Sequence, residues 1–399
     1  MWSPTFVKAA ALLLYILLIS SVSECVYASS TGTAPVQVAI AATDYVCGSG
    51  GNWSMQYTLR TLGGADWSPT LAVYGDMGTA NAVSLPWLVE EVASGGFDAV
   101  LHVGDLAYDL FQCLYVHMGP EVQGRENWFL PLQEGGKVGD KFMEQVEPIA
   151  TQVPYMVAPG NHEWLHNFTH YKNRFSMPGN SENYHYSWNI GPAHIISFST
   201  EVYFFLEDGL KLIEWQYHWL EQELQRVSAA EYRGERPWII AMGHRPMYCS
   251  TNNDNDCDHH NSVVRVGLPL EYKYGLEKLF YQYGVDLELW GHEHIYERMW
   301  PLFNYTVMNG SYENPYTNPG APVHIVTGSA GCREDHGDFK KDQPEWVAFT
   351  SRDYGYSKMT VHNATHLSFQ QISADQGGKV VDEFTIIKDY HGPYRAMDL

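Results

Sequence analysis

Five short stretches of this sequence each set a glycine beside a side chain that can hold a cation or carry a proton. They are GDMG with Asp76, GDLAY with Asp105 and Tyr108, GNHE with Asn161 and His162, AMGH with His244, and GHEH with His292 and His294. Carboxylate, imidazole, phenol and amide oxygen are hard-to-borderline donors, suited to first-row metals rather than to Ca²⁺ or Cu(I). Asp76, Asp105, Tyr108, Asn161, His244, His292 and His294 exceed what one tetrahedral ion uses. They predict two ions sharing a carboxylate. On a helix, His292 and His294 would diverge; on an extended segment or a turn leaving a strand, residues two apart can converge. Two close cations can clamp both the attacking and the leaving oxygen of a displacement.

Such donors need rigid elements to bring them together. Each motif follows a short apolar run, the edge at which open α/β sheets collect ligands. TLAVYGD, FDAVLHVGD, PYMVAPGNHE, RPWIIAMGHRP and DLELWGHEH read as strands ending at the motifs. Helices are predicted around Asn81 to Ala93 and over VGDKFMEQVEPIA, EWQYHWLEQELQRV and GLEKLFYQYG. YSWNIGPAHIISFST reads as a β pair, and the tail from APVHIVTGSAG through VVDEFTIIKD as mostly β. The class is α/β, with several strands side by side and both sheet faces covered. The Trp and Tyr residues of EWQYHWL are expected in the core, and His102, His194, His218 and His324 as packed or surface residues. No internal repeat is evident.

The chain has 399 residues, with 46 Asp and Glu against 24 Lys and Arg, for a net charge of −22. That balance argues against nucleic acid as a partner, because phosphate-backbone binding rests on clustered Lys and Arg. Lys8 precedes an apolar run from Ala9 to Val22, and Val26-Tyr27-Ala28 supplies the small residues of a cleavage site. Residues 1–28 are therefore read as a signal peptide, with no membrane span after its removal. Sequons at Asn52, Asn167, Asn304, Asn309 and Asn363 agree with a secreted or lysosomal glycoprotein. Six cysteines are too few for a disulfide scaffold; Cys249 and Cys257 form the expected bridge, with Cys332 as competitor. Residues 111–132 show no clear period and read as a lid, a loop or a segment foreign to the mature protein.

In this order, the five motifs resemble those of the purple acid phosphatases, within the binuclear metallophosphoesterases. The resemblance runs from about Asp66 to Ile387. It implies a metallophosphoesterase β-sandwich flanked by helices over residues 66–399, including a C-terminal β region from about 321. Residues 29–65 resemble the remnant of an N-terminal fibronectin type III-like domain. By the same resemblance, Asp76, Tyr108 and His294 bind Fe³⁺, Asn161, His244 and His292 bind Zn²⁺ or Fe²⁺, and Asp105 bridges. His292 and His294 would then serve different ions, while Glu293 between them stays structural. Many metallophosphoesterases carry a histidine where this chain has Gly78, so Tyr108 takes over at the first metal. A phenol ionises most readily on a strongly Lewis-acidic ion, in keeping with Fe³⁺ and a purple charge-transfer colour. A fourth motif usually opening with valine has Ala241 here.

The resemblance implies an acid phosphatase acting on phosphorylated small molecules or phosphoproteins, in which a hydroxide held at the metals attacks phosphorus in line. Fe³⁺ and M²⁺ bring five positive charges; Asp76, Asp105, Tyr108 and a hydroxide remove four, leaving about one for a phosphate dianion inside an acidic protein. His162 and one of His259 or His260, with His260 favoured, are the expected proton donors to the leaving group, consistent with an acidic optimum. Two alternatives stay open. One is a phosphodiesterase or pyrophosphohydrolase on the same metals; the other is an inactive secreted glycoprotein from a variant transcript. Homodimer formation also stays open, since strands at 29–65 without a full sandwich leave edges exposed.

Overall fold

The apolar runs preceding the motifs are strands because almost every residue in them is buried, which demands a sheet covered on both sides. A computed structural model describes residues 55–111, 136–206, 209–252, 256–257, 260–269 and 271–394. It also gives strand backbones at Cys25–Tyr27, Ala42–Ser49, Asn52–Trp53, Cys113–Leu114 and Leu130–Pro131. In chain order the first elements are β1 (Thr70–Tyr74), α1 (Leu85–Ala93), β2 (Ala99–Val103), α2 (Lys137–Ala150), β3 (Tyr155–Ala158), β4 (Tyr186–Ile190) and β5 (Ala193–Ser197). Then come α3 (Lys211–Val227), β6 (Trp238–Met242), α4 (Leu276–Tyr283), β7 (Leu287–Trp290) and β8 (Tyr296–Met299). The β-rich tail supplies β9 (Val323–Thr327), β10 (Val347–Ser351), β11 (Gly355–Val361), β12 (His366–Ser373) and β13 (Lys379–Ile387).

These strands form two mixed sheets. The six-stranded sheet has the order β13-β12-β11-β1-β2-β3, and the seven-stranded sheet β4-β5-β6-β7-β9-β8-β10. Within them β1, β2 and β3 run parallel, as do β5, β6, β7 and β9. One contiguous core joins the sheets, with Val73, Leu101 and Val157 from the first and Ile195, Ile240 and Leu289 from the second. The expected sandwich flanked by helices is what the chain forms.

Two local expectations are corrected. The first helix begins at Leu85, not around Asn81, because Asn81 sits at φ 59° and Pro86 occupies the first turn. In α3 the aromatic residues of EWQYHWL flank the core: Trp215 is 44% exposed, and Tyr217 and Trp219 are half-buried. The buried stripe is Ile213, Gln216, Leu220, Leu224 and Val227. Gln216 belongs to it because its amide accepts from Ser199 N (2.9 Å) and donates to Ser199 O (2.7 Å).

The expected signal peptide at 1–28, the expected fibronectin-like remnant at 29–65 and the segment 111–132 lie largely outside the described residues. The strand backbones there include a four-stranded antiparallel sheet, completed by Tyr57–Arg60, and the pair Cys113–Leu114 with Leu130–Pro131. Of the four histidines expected as packed or surface residues, His102, His194 and His324 are buried, and His218 is exposed on α3 between Glu214 and Glu221.

A buried ion cluster locks the entry to β7. Asp286 is fully buried; its carboxylate meets Lys388 Nζ (2.5 Å), Arg233 Nη1 (3.0 Å) and His391 Nδ1 (3.3 Å), and accepts from Ile239 N (2.8 Å). Burial opposes its ionisation, but Lys388, Arg233 and His391 outweigh burial and hold it well below the usual 3.8. A carboxyl depressed in this way stabilises the fold fully above its unfolded pKa near 4, and loses that contribution as pH falls through the lower folded value. Asp286→Ala should therefore cost about 3–5 kcal/mol by leaving buried cations unpaired. Denaturant titration should show the wild-type contribution undiminished from neutrality to about pH 4.

Candidate metal centre

All five motif loops leave the C-terminal ends of parallel strands: Asp76 after β1, Asp105 and Tyr108 after β2, Asn161 and His162 after β3, His244 after β6, and His292 and His294 after β7. The two sheets therefore deliver their donors to one place. Asp76 (φ 60°), Asp105 (φ 49°), Tyr108 (φ 55°) and His292 (φ 69°) all take the left-handed backbone that non-glycine residues avoid. Strain of this kind persists where the surrounding structure over-determines it, and it gathers at functional sites. Gly160 shows how tight the approach is: a Cβ there would lie 2.2 Å from Asp105 Oδ1.

The donors fall into two groups. In the first, Tyr108 Oη donates to Asp76 Oδ1 at 3.3 Å and lies 2.5 Å from His294 Nε2, which is itself 3.6 Å from Asp76 Oδ1. In the second, one ligand atom each from Asp105, His244 and His292 lie within 4.8 Å of one another. His244 Nε2 is 3.2 Å from Asp105 Oδ2 and 3.2 Å from Asn161 Oδ1. His292 and His294 thus enter different groups. Asp76, Asp105, Tyr108 and His244 are buried, while Asn161, His292 and His294 are half-buried, so the cluster is partly accessible to solvent.

The chemistry of this donor set fits cations. Burial, then the Asp76 and Asp105 carboxylates, push the Tyr108 phenol well above its usual 10.0. Burial lowers His244 and His294, but it is outweighed: chiefly by Asp105 and Asp76 for His244, raised to about 10, and by Asp76 and Cys332 for His294, raised to about 12. The cluster favours positive charge wherever it can be placed. The imidazoles are also aimed. His244 Nδ1 donates to Val103 O (2.9 Å) and His294 Nδ1 to Asp335 O (2.9 Å), which leaves each Nε2 lone pair facing the carboxylates. Gly78 explains the phenol. A Cβ there would stand 3.3 Å from the Tyr108 ring and 3.0 Å from Cys332 Cα, so a side chain at 78 and the Tyr108 ring compete for the same space.

Several residues that carry the arrangement were not read from the sequence. Glu163 is buried and accepts from Gly160 N (2.9 Å), Asp105 N (3.0 Å) and Leu106 N (3.0 Å), pinning the Asp105 turn to the GNHE turn. Burial, then Asp105, raise its carboxyl to about 8. Asp109 Oδ1 holds His162 Nδ1 at 3.0 Å, and Arg333 holds Asp109 Oδ2 at 2.6 Å. Both acids adjoin motif residues, the one signal by which they could have been found.

His162 sits over Tyr108 (ring centroids 4.3 Å apart), with Nε2 3.8 Å from Asp105 Oδ2 and 3.5 Å from Glu334 Oε1. His260 has an exposed ring that stacks on Tyr305 at 4.6 Å. Among the described residues, no hydrogen bond or ion pair joins it to the seven donors. His259 is outside the described residues. Cys249 and Cys257 are disulfide-bonded as expected, and Cys332 is free and buried. Glu293 is buried beside that disulfide, and Thr251 Oγ1 donates to it at 2.5 Å.

Residues 69–296 match the family described as calcineurin-like phosphoesterase, and residues 321–383 match the iron/zinc purple acid phosphatase-like protein C region. Acid phosphatase type 7 of Danio rerio is 52% identical over 88% of this chain and 75% of its own length. The Homo sapiens protein of that name is 51% identical over 87% and 74%. The purple acid phosphatase PPD1 from yellow lupin (Lupinus luteus) superposes with a TM-score of 0.66 at 25% identity, over 88% of this chain and 59% of that longer one. This chain belongs to the purple acid phosphatase family of calcineurin-like phosphoesterases.

Proposed function

We propose that the protein is an acid phosphatase that hydrolyses phosphate monoesters at a binuclear centre, with Fe³⁺ held by Asp76, Tyr108 and His294, and Zn²⁺ or Fe²⁺ held by Asn161, His244 and His292. Asp105 is the shared ligand. The observation that carries this reading is the sorting of the donors into two groups with Asp105 Oδ2 beside His244 and its Oδ1 fixed by His162 N at 2.9 Å. When bound, the two cations withdraw charge from the phosphoryl oxygens and lower the pKa of a water so that it becomes a nucleophile at mildly acidic pH.

The chain's own residues do the rest. His162 holds a proton at Nε2 for the departing alkoxide while Asp109 fixes its other nitrogen. Tyr108 lies against the His162 ring and keeps it over the mouth of the cluster. Glu163 keeps the two turns in register by binding three amides. His260 is proposed as a second contact for substrate from its exposed place on Tyr305.

A signal peptide at residues 1–28 and a secreted or lysosomal destination belong to the same proposal. Asn167, Asn304, Asn309 and Asn363 are all exposed, as glycan acceptors must be. Among the described residues, no helix is long and apolar enough to cross a membrane.

Comparing rates on an aryl monophosphate and the matching diester tests the substrate class: the monoester should be preferred, and a preference for the diester would overturn the assignment. Tyr108→Phe tests the ferric site. The visible absorption should vanish while Asp76, Asp105 and His294 keep iron bound by elemental analysis. A variant that retained the colour would remove Tyr108 from the metal.

A further inference from the structure

Among the described residues, His292 is the one donor whose ring meets a residue next to a disulfide. Asp256 Oδ2 lies 3.4 Å from His292 Nε2 and 2.6 Å from Arg245 Nη1, and that same Arg245 nitrogen lies 3.1 Å from His292 Nε2. Arg245 is held in turn by Glu201, whose two oxygens each lie 3.1 Å from its Nε, and its guanidinium stacks over Phe204. Asp256 is buried, so its charge needs these partners. With Nε2 engaged, Nδ1 is the ring nitrogen left for the group formed with Asp105 and His244.

Asp256 directly precedes Cys257, which is bonded to Cys249 on the chain leaving the His244 motif. The bridge spans only eight positions. It is anchored a second time by the residue that follows His292: Glu293 Oε1 is 3.4 Å from Cys257 Sγ, and Glu293 Oε2 accepts from Thr251 Oγ1 at 2.5 Å. The loop therefore reaches His292 from two sides, through its ring and through its neighbour in sequence. Among the described residues, His294 has no such carboxylate on its far nitrogen: its Nδ1 meets the Asp335 carbonyl at 2.9 Å and Cys332 Sγ at 3.7 Å.

We infer that Asp256, fastened by the Cys249–Cys257 disulfide and charge-balanced by Arg245, is a positioning residue for the second metal alone: it fixes His292 in the orientation that binds the divalent ion. This rests on the two-ion reading above. A carboxylate on the far nitrogen of a ligating histidine sets its tautomer and raises its basicity, and losing it weakens metal binding by about 10–100-fold.

Asp256→Asn keeps the shape and removes the charge; the Cys249→Ala/Cys257→Ala double variant keeps Asp256 and frees its loop. Both should bind the divalent ion about 10–100-fold more weakly in competition with a chelator, while the Tyr108-to-iron absorption stays at the wild-type level. That absorption reports on folding and on the first metal together. Divalent-ion affinity equal to wild type in both variants would overturn the inference and leave the two-ion reading standing. Loss of the iron absorption along with the divalent ion would also overturn it, because the effect would then be on the whole centre. Wild-type protein that takes up no second ion would overturn both readings.

Discussion

Asp105→Asn should lower kcat/KM on a phosphate monoester by at least about 10³-fold, the upper end of what one electrostatic group contributes. Asparagine preserves volume, and its amide oxygen can still accept from His162 N, now 2.9 Å from Asp105 Oδ1. What it removes is the negative charge that faces His244 Nε2 at 3.2 Å and that burial would otherwise penalise. His244 and His162 outweigh that burial and hold the Asp105 carboxyl below the ordinary range, so the site is built to keep it ionised. On the proposed bridging role, a neutral amide at this position deprives both ions of their shared anionic ligand. Elemental analysis should then show less than two equivalents of metal. A second readout is thermal: a chelator should lower the wild-type melting temperature strongly and the variant's much less, because metal that binds only the folded state stabilises it by mass action. A variant with full metal content and normal turnover would show that Asp105 does not bridge.

The centre was legible in the sequence to the extent that its atoms come from side chains placed at strand ends. Asp76, Asp105, His244 and His292 each follow an apolar run by two residues, and the run, the turn and the donor are all local signals. What makes those donors work is not local. Glu163 matters because Asp105 N and Leu106 N, from the turn after β2 more than fifty residues earlier, come within 3.0 Å of it. Asp256 lies in a polar loop with no period, and only the fold shows that it ends at His292. The tail reads as β from its alternation, yet nothing in it announces that β11 pairs with β1, joining Thr360 to Thr70. In α3 the apolar character of Trp215 and Trp219 outweighed phase. The helix spends its buried stripe on Gln216, whose amide satisfies both backbone groups of Ser199, and leaves the indoles to pack around His185 at 4.5 Å each. Hydrophobicity reports what a side chain prefers; which face turns inward is set by the partners across the interface.

His162→Ala is expected to separate proton donation from metal chemistry. The ring touches the cluster without belonging to it: it lies 4.3 Å from the Tyr108 ring, and its Nε2 is 3.8 Å from Asp105 Oδ2. Asp109 and Arg333 hold the opposite edge, so the ring is fixed by its own supports and not by a metal. A positioned acid contributes about 10²–10⁴-fold when the leaving group needs a proton. On an alkyl phosphate, whose alkoxide is a poor leaving group, kcat should fall about 10²-fold or more. On an aryl phosphate with an acidic phenol the same variant should lose far less, because the phenolate departs unprotonated. Metal content and visible absorption should match wild type, since Asp76, Asp105, Tyr108, Asn161, His244, His292 and His294 are untouched. Asp109→Asn should follow the same leaving-group pattern more weakly, because it loosens the ring without deleting it. Equal losses on both esters would assign His162 to substrate binding and leave the alkoxide to be protonated by solvent.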